Sequence, residues 1–581
     1  MSRVHENLHE EAERLKDDSV SFSHEIRLSY IILAVIFLLA VTAPPVLLVQ
    51  YFLYRQDLPV ITLIFGILLL WRRRLLQRGK PSTPTVTPQL SWIIGALAVL
   101  LVFAFCWAGR HLVMWDYPFS RDEQLALFAS ETISSGRLHG LIAEPWLSVR
   151  AALNQTFMAT QTNANVWAPV YLPGNALLHM VVEKVGPAGL TGPLLCAAGV
   201  VATWGVARQL WPNQGDLHLV ALLLFVLSAQ NLALGMTSYA MSAHLTLNMS
   251  WLWLFLKNRP WSHTAALLVG MLATGLHQLP FHPLFAAPIL ATLLWDRRWA
   301  VAGFYLVGYA LIGLFWTHYL TLPGLATPSG LASELGTQRA ASMASGAFAL
   351  SLNYLHLTAA GIVRFFSWQH ILLLPLMIIG GRAAWQSRDP IQIALVLSFL
   401  LMIVVRLLMR PYQGHGWGYR YFHGLIGVAC LTATFGWAKL RDAGLADWSQ
   451  LRLASLLTLG LVIPWLLFQA HLMVQPYANL SKRFDELHTM ALIIADKGAP
   501  FAKDLVINRP DLSNRPVRLM ASELHGDDLT RLCQRGSLTY VSASDLAGIN
   551  DLFGLAASPS VEEDKRLLNH APPGCVRAFS R

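Results

Sequence analysis

Long apolar runs separated by short polar connectors constrain this chain more than any other feature of its sequence. Most runs approach the roughly 20 residues that an α-helix needs to cross a bilayer. They lie at 29–53, 57–72, 91–110, 187–209, 217–237, 240–256, 262–280, 283–296, 299–320, 368–385, 390–409, 421–438 and 451–473. Only 13% of the 581 residues are charged, whereas soluble proteins average about 25%. We therefore predict a polytopic α-helical membrane protein with about 13 transmembrane helices.

The basic connectors predict which side of the membrane each loop faces. Lys and Arg accumulate in cytoplasmic loops, and they cluster at 72–80, 257–259, 296–298, 382–388 and 439–441. With the N-terminus in the cytoplasm, alternating spans place all of these clusters inside. The net charge of +10 therefore reflects membrane orientation, and we expect no nucleic-acid partner. The loops 110–186, 321–367 and 410–420 and the C-terminus are predicted to face outside.

The composition divides the chain into three parts. Residues 1–28 are polar and predict a cytoplasmic, amphipathic N-terminal helix, with no visible signal peptide. Residues 29–473 form the predicted membrane domain, with a helix lying on its outer face at 347–366. From 474 to 581 the charge rises and short β-like runs alternate with helical ones.

We expect a small α/β domain in the C-terminal part. Its predicted strands lie at 504–508, 517–521, 537–542 and 575–579, and its predicted helices at 481–497, 527–534 and 560–569.

Two of the five cysteines, Cys533 and Cys575, belong to this C-terminal domain. No other cysteine lies there, so the two pair with each other or stay free. Because the domain is predicted to face an oxidising compartment, we expect a disulfide. Cys106, Cys196 and Cys430 lie in apolar runs and are expected to be buried thiols.

Polar and aromatic residues gather in the loops predicted to face outside. Asp122 and Glu123 open the first outer loop, directly after a membrane helix. Desolvating a carboxylate is costly, so charges at such a place are functional candidates. Ser120, with Glu123 three residues later, also forms a pattern that starts helices. The other candidates lie further along the outer loops and turns, at Trp167, Tyr171, Tyr239, His244, His277, His282, His415, Trp417, Tyr419, Arg420 and His423.

Two of these segments carry a family resemblance. Residues 122–138, followed by Tyr171-Leu172-Pro173-Gly174, resemble the first outer loop of the GT-C membrane glycosyltransferases. The likeness is strongest to the branch with protein O-mannosyltransferases and the lipid A aminoarabinose transferase, where an acidic pair precedes an interfacial helix and a Tyr-Pro-Pro-Gly-like segment follows. Leu172 stands in place of the first proline. Residues 416–421 resemble the Gly/Trp/Arg segment of bacterial members, and the whole resemblance covers roughly 90–473.

The resemblance implies a GT-C-like fold and transfer of a sugar from a polyprenyl-phosphate donor. The acceptor would be a lipid, a glycan or a protein on the periplasmic face of a bacterial inner membrane. Such chemistry needs a base for the acceptor hydroxyl and positive charge for the departing phosphate. Asp122 is the candidate base by its place in the family motif. Glu123 would orient it or bond to the sugar, and adjacent carboxylates raise each other's proton affinity.

The remaining candidates receive roles from the same resemblance. Arg420 is the candidate phosphate clamp because guanidinium is planar and always charged. His277 and His282 could bind a divalent metal cation or the phosphate, and no other cofactor is expected. The other donor-site candidates are Tyr239, His244, Tyr419 and His423. The candidates for contact with the substrate are Trp167, Tyr171, His415 and Trp417.

Three other interpretations remain open from the sequence. An O-antigen polymerase or ligase is also polytopic with long outer loops, but it relies more on basic residues than on an acidic pair. A transporter would favour broken helices in symmetric halves, and no such symmetry is visible. A third alternative is an inactive scaffold of the same fold.

Overall fold

The computed structural model of the chain is mainly helical, with a smaller α/β part at its C-terminal end. It describes residues 2–76, 86–160, 165–321, 330–331, 333–337, 352–408, 413–556, 568–569 and 571–579.

Every apolar run of the sequence becomes helical. The helices of the membrane part are α1 (Ser2–Val41), α2 (Leu47–Phe52), α3 (Leu58–Leu76), α4 (Pro88–Leu112), α7 (Thr191–Leu210), α8 (Gly215–Val226), α9 (Ala229–Gly235), α10 (Met241–Leu256), α11 (Pro260–Thr274), α12 (Phe281–Trp295), α13 (Trp299–His318), α14 (Leu352–Ser367), α15 (Leu373–Ser387), α16 (Pro390–Leu408), α17 (Ile426–Asp442), α18 (Trp448–Leu457) and α19 (Ile463–Asp485). Between α4 and α7, the first outer loop contains α5 (Arg121–Ser134) and α6 (Gly174–Glu183).

The helices differ in their ability to cross a bilayer. Among the described residues, eight spans are long and apolar enough, or up to nine if the bent pair of α8 and α9 counts as one. The four remaining apolar runs are α10, α11, α12 and α15, which have 15 or 16 residues. Helices of that length reach only about 23 Å, less than the roughly 30 Å hydrocarbon core. Irregular backbone at their ends is therefore expected to be shielded inside the protein.

An ion pair and two hydrogen bonds join segments that lie far apart in the sequence. Arg382 lies 2.9 Å from Glu25, and both belong to the predicted inner side. His356, near the start of α14, lies 3.0 Å from Thr42. Ser367 at the end of α14 donates to Asp57 at 2.7 Å. The helix predicted at 347–366 corresponds to α14, with residues 347–351 outside the described residues, and its place on the outer face stays a prediction.

The first outer loop contains a small antiparallel sheet that the sequence analysis did not predict. Its strands are β1 (Gly140–Leu141), β2 (Met158–Thr160) and β3 (Val166–Pro169), in the order β1-β3-β2. Such short strands leave too few residues for an alternating pattern to be read from sequence. The sheet follows α5 and leads into α6, so it sets the path of the chain between Asp122 and Tyr171.

The C-terminal part is an α/β unit, as predicted, and its sheet is parallel. Its strands are β4 (Ala491–Ile494), β5 (Val517–Met520), β6 (Leu538–Val541) and β7 (Val576–Ala578), in the order β5-β4-β6-β7. Two helices, α20 (Gly526–Cys533) and α21 (Ala547–Phe553), connect them. The continuous helix α19 runs across residue 474 and leads from the membrane part into this sheet.

Two predictions for this part were wrong. The strand expected at 504–508 is absent, because a 3-10 helix occupies Ala502–Leu505. The helix expected over 481–497 ends at Asp485, and the strand β4 follows within the same range. A fully buried run of four apolar residues carries no periodicity that separates strand from helix. Most of the helix predicted at 560–569 lies outside the described residues.

The C-terminal part and the first outer loop share a hydrophobic core. Phe128, Ile142 and Trp146 from the loop are buried in one cluster with Leu519 and Leu538 from the parallel sheet. The two parts therefore form one packed layer on the predicted outer side, and the loop that carries Asp122 lies within it.

Cys533 and Cys575 form a disulfide in this layer, as the sequence predicted. The other three cysteines are buried free thiols.

Alkylation of the denatured, unreduced protein should label Cys106, Cys196 and Cys430 and leave Cys533 and Cys575 unlabelled. Peptide mapping by mass spectrometry measures this, and reduction before alkylation is the control that should expose all five. Labelled thiols at positions 533 and 575 without reduction would contradict the bridge and the predicted oxidising compartment.

Candidate functional site

Asp122 and Arg420 meet at the centre of the outer face. A guanidinium nitrogen of Arg420, Nη1, lies 2.5 Å from Asp122 Oδ2. The hydroxyl of Tyr171 donates to the other carboxylate oxygen, Oδ1, at 2.6 Å. The side chain of Asp122 is 16% exposed and that of Arg420 is 8% exposed. The structure thus brings together one residue from each of three sequence-predicted segments, in a nearly dry environment.

The start of α5 places Asp122. Ser120 caps the helix by accepting a hydrogen bond from the main-chain N–H of Glu123 at 3.4 Å. The buried side chain of Arg121 donates to the main-chain oxygens of Asn154 at 2.7 Å and Thr156 at 3.2 Å. The first turn of α5 is therefore held at both its cap and its flank, and Asp122 has little freedom to move.

The turn after Tyr171 fixes the tyrosine by pairing with the turn after α11. The main-chain N–H of Gly174 donates to the main-chain oxygen of Gly275 at 2.8 Å. The main-chain N–H of Leu172 donates to the main-chain oxygen of His277 at 3.1 Å. A β-carbon at position 174 would lie only 2.6 Å from the Gly275 oxygen, so the approach requires glycine. The rings of Tyr171 and His277 consequently stack with centroids 3.9 Å apart.

Two glycines shape the segment that presents Arg420. Gly416 and Gly418 have φ angles of +149° and +64°, which side chains rarely adopt. A β-carbon at Gly416 would also lie 2.5 Å from the Arg420 side chain. The side-chain oxygen of Gln413 accepts from the main-chain N–H of Arg420 at 2.7 Å, and its main-chain oxygen accepts from the guanidinium. The guanidinium carbon lies 4.7 Å from the ring centre of Tyr239.

The two adjacent carboxylates point to different neighbours. Glu123 accepts a hydrogen bond from the main-chain N–H of Ser238 at 3.2 Å, and its second carboxylate oxygen has no hydrogen-bond partner in the described part of the chain. Burial raises the pKa of Glu123 to about 7. The negative charge of Asp122, which was expected to raise the pKa of Glu123, is not among the main causes of this shift. Burial also acts to raise the pKa of Asp122, but the charge of Arg420 and the Tyr171 hydrogen bond hold it below its usual value.

Two small cavities flank the ion pair. One, of about 30 Å³, is lined by Asp122, Tyr171 and His277 among others. The other, of about 20 Å³, is lined by Arg420 and His244 among others. Each has room for about one or two water molecules. The carboxylate and the guanidinium thus face separate chambers, and both chambers are closed to a sugar in this conformation.

A much larger apolar groove begins beside the site. It has a volume of about 840 Å³ and runs along α12 and α13, from Trp299 to Thr317. Thr274 and Leu279, on either side of His277, line its end near the site. Small residues such as Ala286, Ala287, Ala291, Ala302 and Gly303 keep it open.

Three predicted donor-site residues lie next to Arg420 in different environments. His244 is buried, and both of its ring nitrogens lack a hydrogen-bond partner. His423 lies 3.4 Å from the side-chain nitrogen of Gln230. Tyr419 is buried behind the site, where Arg406 donates to its hydroxyl at 3.3 Å. Of these three, His244 alone shares a cavity with Arg420.

Three predicted substrate contacts have packing roles in the structure. Trp167 is buried, and its indole N–H donates to the main-chain oxygen of Pro510 at 3.0 Å. Trp417 is buried and stacks on Phe119. His415 lies 3.3 Å from a carboxylate oxygen of Asp504. Their rings pack in the compact core around the site, and contact with a substrate stays a prediction for all three.

The candidate metal ligands differ in their freedom to bind. The two ring nitrogens of His282 lie 2.8 Å from Asn248 and 2.7 Å from Tyr309, so both are occupied. Among the described residues, His277 has no hydrogen-bond partner for either ring nitrogen, and burial lowers its pKa to about 4. Within the described ranges, no group of three or more His, Cys, Asp or Glu side chains is arranged to hold a metal ion. The metal site stays a prediction.

Sequence reasoning missed several polar residues that support the site. Gln413 holds Arg420, and Gln230 accepts the main-chain N–H of Tyr419 at 3.2 Å. Gln124 and Asp504 join the site to the C-terminal part through a hydrogen bond of 2.7 Å. Gln413 lies within a segment rich in candidates, but nothing in the sequence distinguishes Gln230 or Asp504.

The raised pKa of Glu123 makes a testable statement about stability. A carboxyl group whose pKa is higher in the folded state stabilises the fold most at low pH, and this contribution is lost as pH rises from about 4.5 to about 7. Glu123→Gln mimics the neutral form. Its thermal midpoint relative to the native protein should therefore be higher at pH 8 than at pH 4.5. Glu131→Gln, on an exposed part of the same helix, is the matched control. Parallel pH profiles for native protein and Glu123→Gln would contradict the assignment.

Comparison with solved structures finds similarity over most of the chain. Two crystal structures of ArnT from Cupriavidus metallidurans, one in the apo state and one bound to undecaprenyl phosphate, each align with a TM-score of 0.46. The identities are 11% and 12%, and each alignment covers 82% of this chain and 90% of the ArnT chain. No family model matches the sequence, and no curated protein matches it significantly.

Proposed function

We propose that this protein is a membrane glycosyltransferase that moves a sugar from a polyprenyl phosphate to a lipid, glycan or protein acceptor. The reaction would take place on the periplasmic face of a bacterial inner membrane. One observation carries the proposal: the candidate base and the candidate phosphate clamp, 298 residues apart in the chain, are in direct contact. The hydroxyl of Tyr171, from the third family-like segment, bonds to the same carboxylate.

The chemistry of glycosyl transfer fits these groups. The acceptor oxygen forms a bond to the anomeric carbon of the sugar, and the bond from that carbon to the phosphate oxygen breaks. The phosphate leaves with the electron pair, and the acceptor proton passes to Asp122. Arg420 would stabilise the charge on the departing phosphate through its planar pair of donors. Tyr171 would keep the carboxylate in its orientation.

The ion pair suggests how donor binding would prepare the base. Bound to Arg420, the carboxylate of Asp122 is a weak proton acceptor. A phosphate that takes its place on the guanidinium would neutralise that charge and free the carboxylate. Since the flanking cavities are small, this exchange would also have to open the site. Coupling the two events would keep the base inactive until the donor is present.

The apolar groove along α12 and α13 offers a place for the prenyl chain. It is lined mainly by apolar side chains, and its end at Thr274 and Leu279 flanks His277, which stacks on Tyr171. A chain with its head at this end of the groove would bring its phosphate to the turn that carries His277. Mass spectrometry of the lipids that purify with the protein tests this class of partner directly.

Asp122→Asn should reduce turnover by about 100-fold or more, because the amide cannot accept the acceptor proton. The measurement is the release of free undecaprenyl phosphate from an undecaprenyl-phosphate-linked hexose or pentose by membranes that contain the protein. Asp116→Asn is the matched control, since Asp116 also pairs with an arginine in this loop but is 47% exposed.

The carboxylate of Asp122 is buried, so the folded fraction of Asp122→Asn must be checked by its thermal midpoint. A folded variant with native turnover would reject Asp122 as the base. If Glu123→Gln were inactive instead, the role would move to Glu123.

Arg420→Lys should slow the same reaction by about tenfold or more, because an ammonium group cannot reproduce the guanidinium fork. Arg509→Lys is the control, since Arg509 makes an exposed pair with Glu131 in the same outer layer. Native turnover in Arg420→Lys would indicate that the charge alone matters and would remove the bidentate clamp from the mechanism.

A further inference from the structure

Asp504 lies where the C-terminal part meets the candidate site. It belongs to the 3-10 helix Ala502–Leu505, which follows the first strand of the parallel sheet, β4. Its residue surface is 4% exposed. Parallel sheets with helical crossovers commonly bind ligands beyond the carboxyl ends of their strands. Here the segment beyond β4 is packed against the loops that carry Asp122 and Arg420.

The main chain of Asp504 is hydrogen-bonded to the helix that carries Asp122 and Glu123 and to the residues just before it. Its carbonyl oxygen accepts a hydrogen bond from the side chain of Gln124 at 2.7 Å and another from the hydroxyl of Tyr117 at 3.3 Å. Gln124 follows Asp122 by two residues in the first turn of α5, and Tyr117 lies just before that helix. The neighbouring oxygen of Lys503 accepts from Asn154 at 2.8 Å. Three hydrogen bonds thus connect this short segment to the first outer loop.

The side chain of Asp504 lies against the arginine segment, at ion-pair distance from His415 but without the alignment of a hydrogen bond. One carboxylate oxygen lies 3.3 Å from Nε2 of His415, five residues before Arg420. The two side chains are 6% and 8% exposed, so little water competes for the contact. The ring of His415 also packs between Phe501, at 4.1 Å, and Phe119, at 4.8 Å.

We propose that Asp504 is a positioning residue, and that through it the C-terminal part holds Asp122 and Arg420 in working geometry. This inference rests on the proposed function. Asp504 touches neither reacting group; it acts through Gln124 on one side and His415 on the other. In the proposed mechanism, phosphate replaces Asp122 on the guanidinium of Arg420, and this requires movement. A residue that contacts both segments would keep them aligned while their ion pair opens. Misplacing a reacting group by about 1 Å can cost up to 100-fold in rate.

Two variants test the contacts of Asp504 with His415 and with Gln124 separately. Asp504→Asn alters the contact with His415 but keeps the hydrogen bonds to the main chain of Asp504. Gln124→Met removes the hydrogen bond from the Gln124 side chain to the main-chain oxygen of Asp504. Both should lower kcat for release of undecaprenyl phosphate by about 10- to 100-fold with a smaller change in KM. Asp528→Asn is the matched control, because Asp528 is a largely buried carboxylate whose hydrogen bonds stay within the C-terminal part.

A double-mutant cycle distinguishes positioning from general damage. If Asp504 and His415 act through their contact, Asp504→Asn combined with His415→Gln should be no slower than the slower single variant. Independent, multiplying losses would overturn the coupling. Folded single variants with kcat within about twofold of the native value would overturn the proposal itself.

Hydrogen exchange gives a readout that does not require turnover. Asp504→Asn should increase exchange in residues 413–420, and Gln124→Met should do so in residues 121–134, relative to Asp528→Asn. An unchanged exchange pattern in both variants would reject the positioning role of Asp504. If the native protein released no undecaprenyl phosphate, the proposed function would fail. The exchange experiment would still decide whether Asp504 holds both segments in place. If Asp504→Asn did not fold, His415→Gln would test the same contact from the membrane side.

Discussion

The ion pair between Asp122 and Arg420 determines how the outer face of this protein must be built. Both side chains are largely buried, and burying a charge is costly unless it is paired and hydrogen-bonded. Tyr171, Gln413 and Tyr239 supply those additional contacts. Each of them comes from a different part of the chain, so the pair can form only when the surrounding loops have reached their final positions.

Burial gives the two acidic residues different properties although they are adjacent in sequence. Asp122 faces a cation and a phenol, which favour its charged form. Glu123 faces one main-chain N–H and has an oxygen without a partner, so its neutral form is favoured at moderate pH. A carboxylate that can accept a proton and a neutral acid that can donate a hydrogen bond are complementary groups for sugar chemistry. Their different environments, more than their mutual repulsion, separate them.

The C-terminal part packs directly against this arrangement. Residues of the first outer loop and of the parallel sheet share one hydrophobic core, and Asp504 contacts both segments of the site. A loop attached only at its ends would be mobile, whereas this loop is covered on its outer side. The same core contains Trp167, whereas Trp417 packs against Phe119 in the main core. Both rings fill space between packed elements.

The sequence by itself determined the class of protein, the disulfide and the candidates Asp122 and Arg420, whereas the alternation of loops across the membrane stays a prediction. These follow from hydrophobicity, local charge and short motifs, which are properties of contiguous residues. Only the tertiary structure decided that the pair is in contact, that both nitrogens of His282 are occupied and that Asp504 reaches both segments. Contacts between residues hundreds of positions apart depend on how helices and loops pack, and no local pattern encodes that packing.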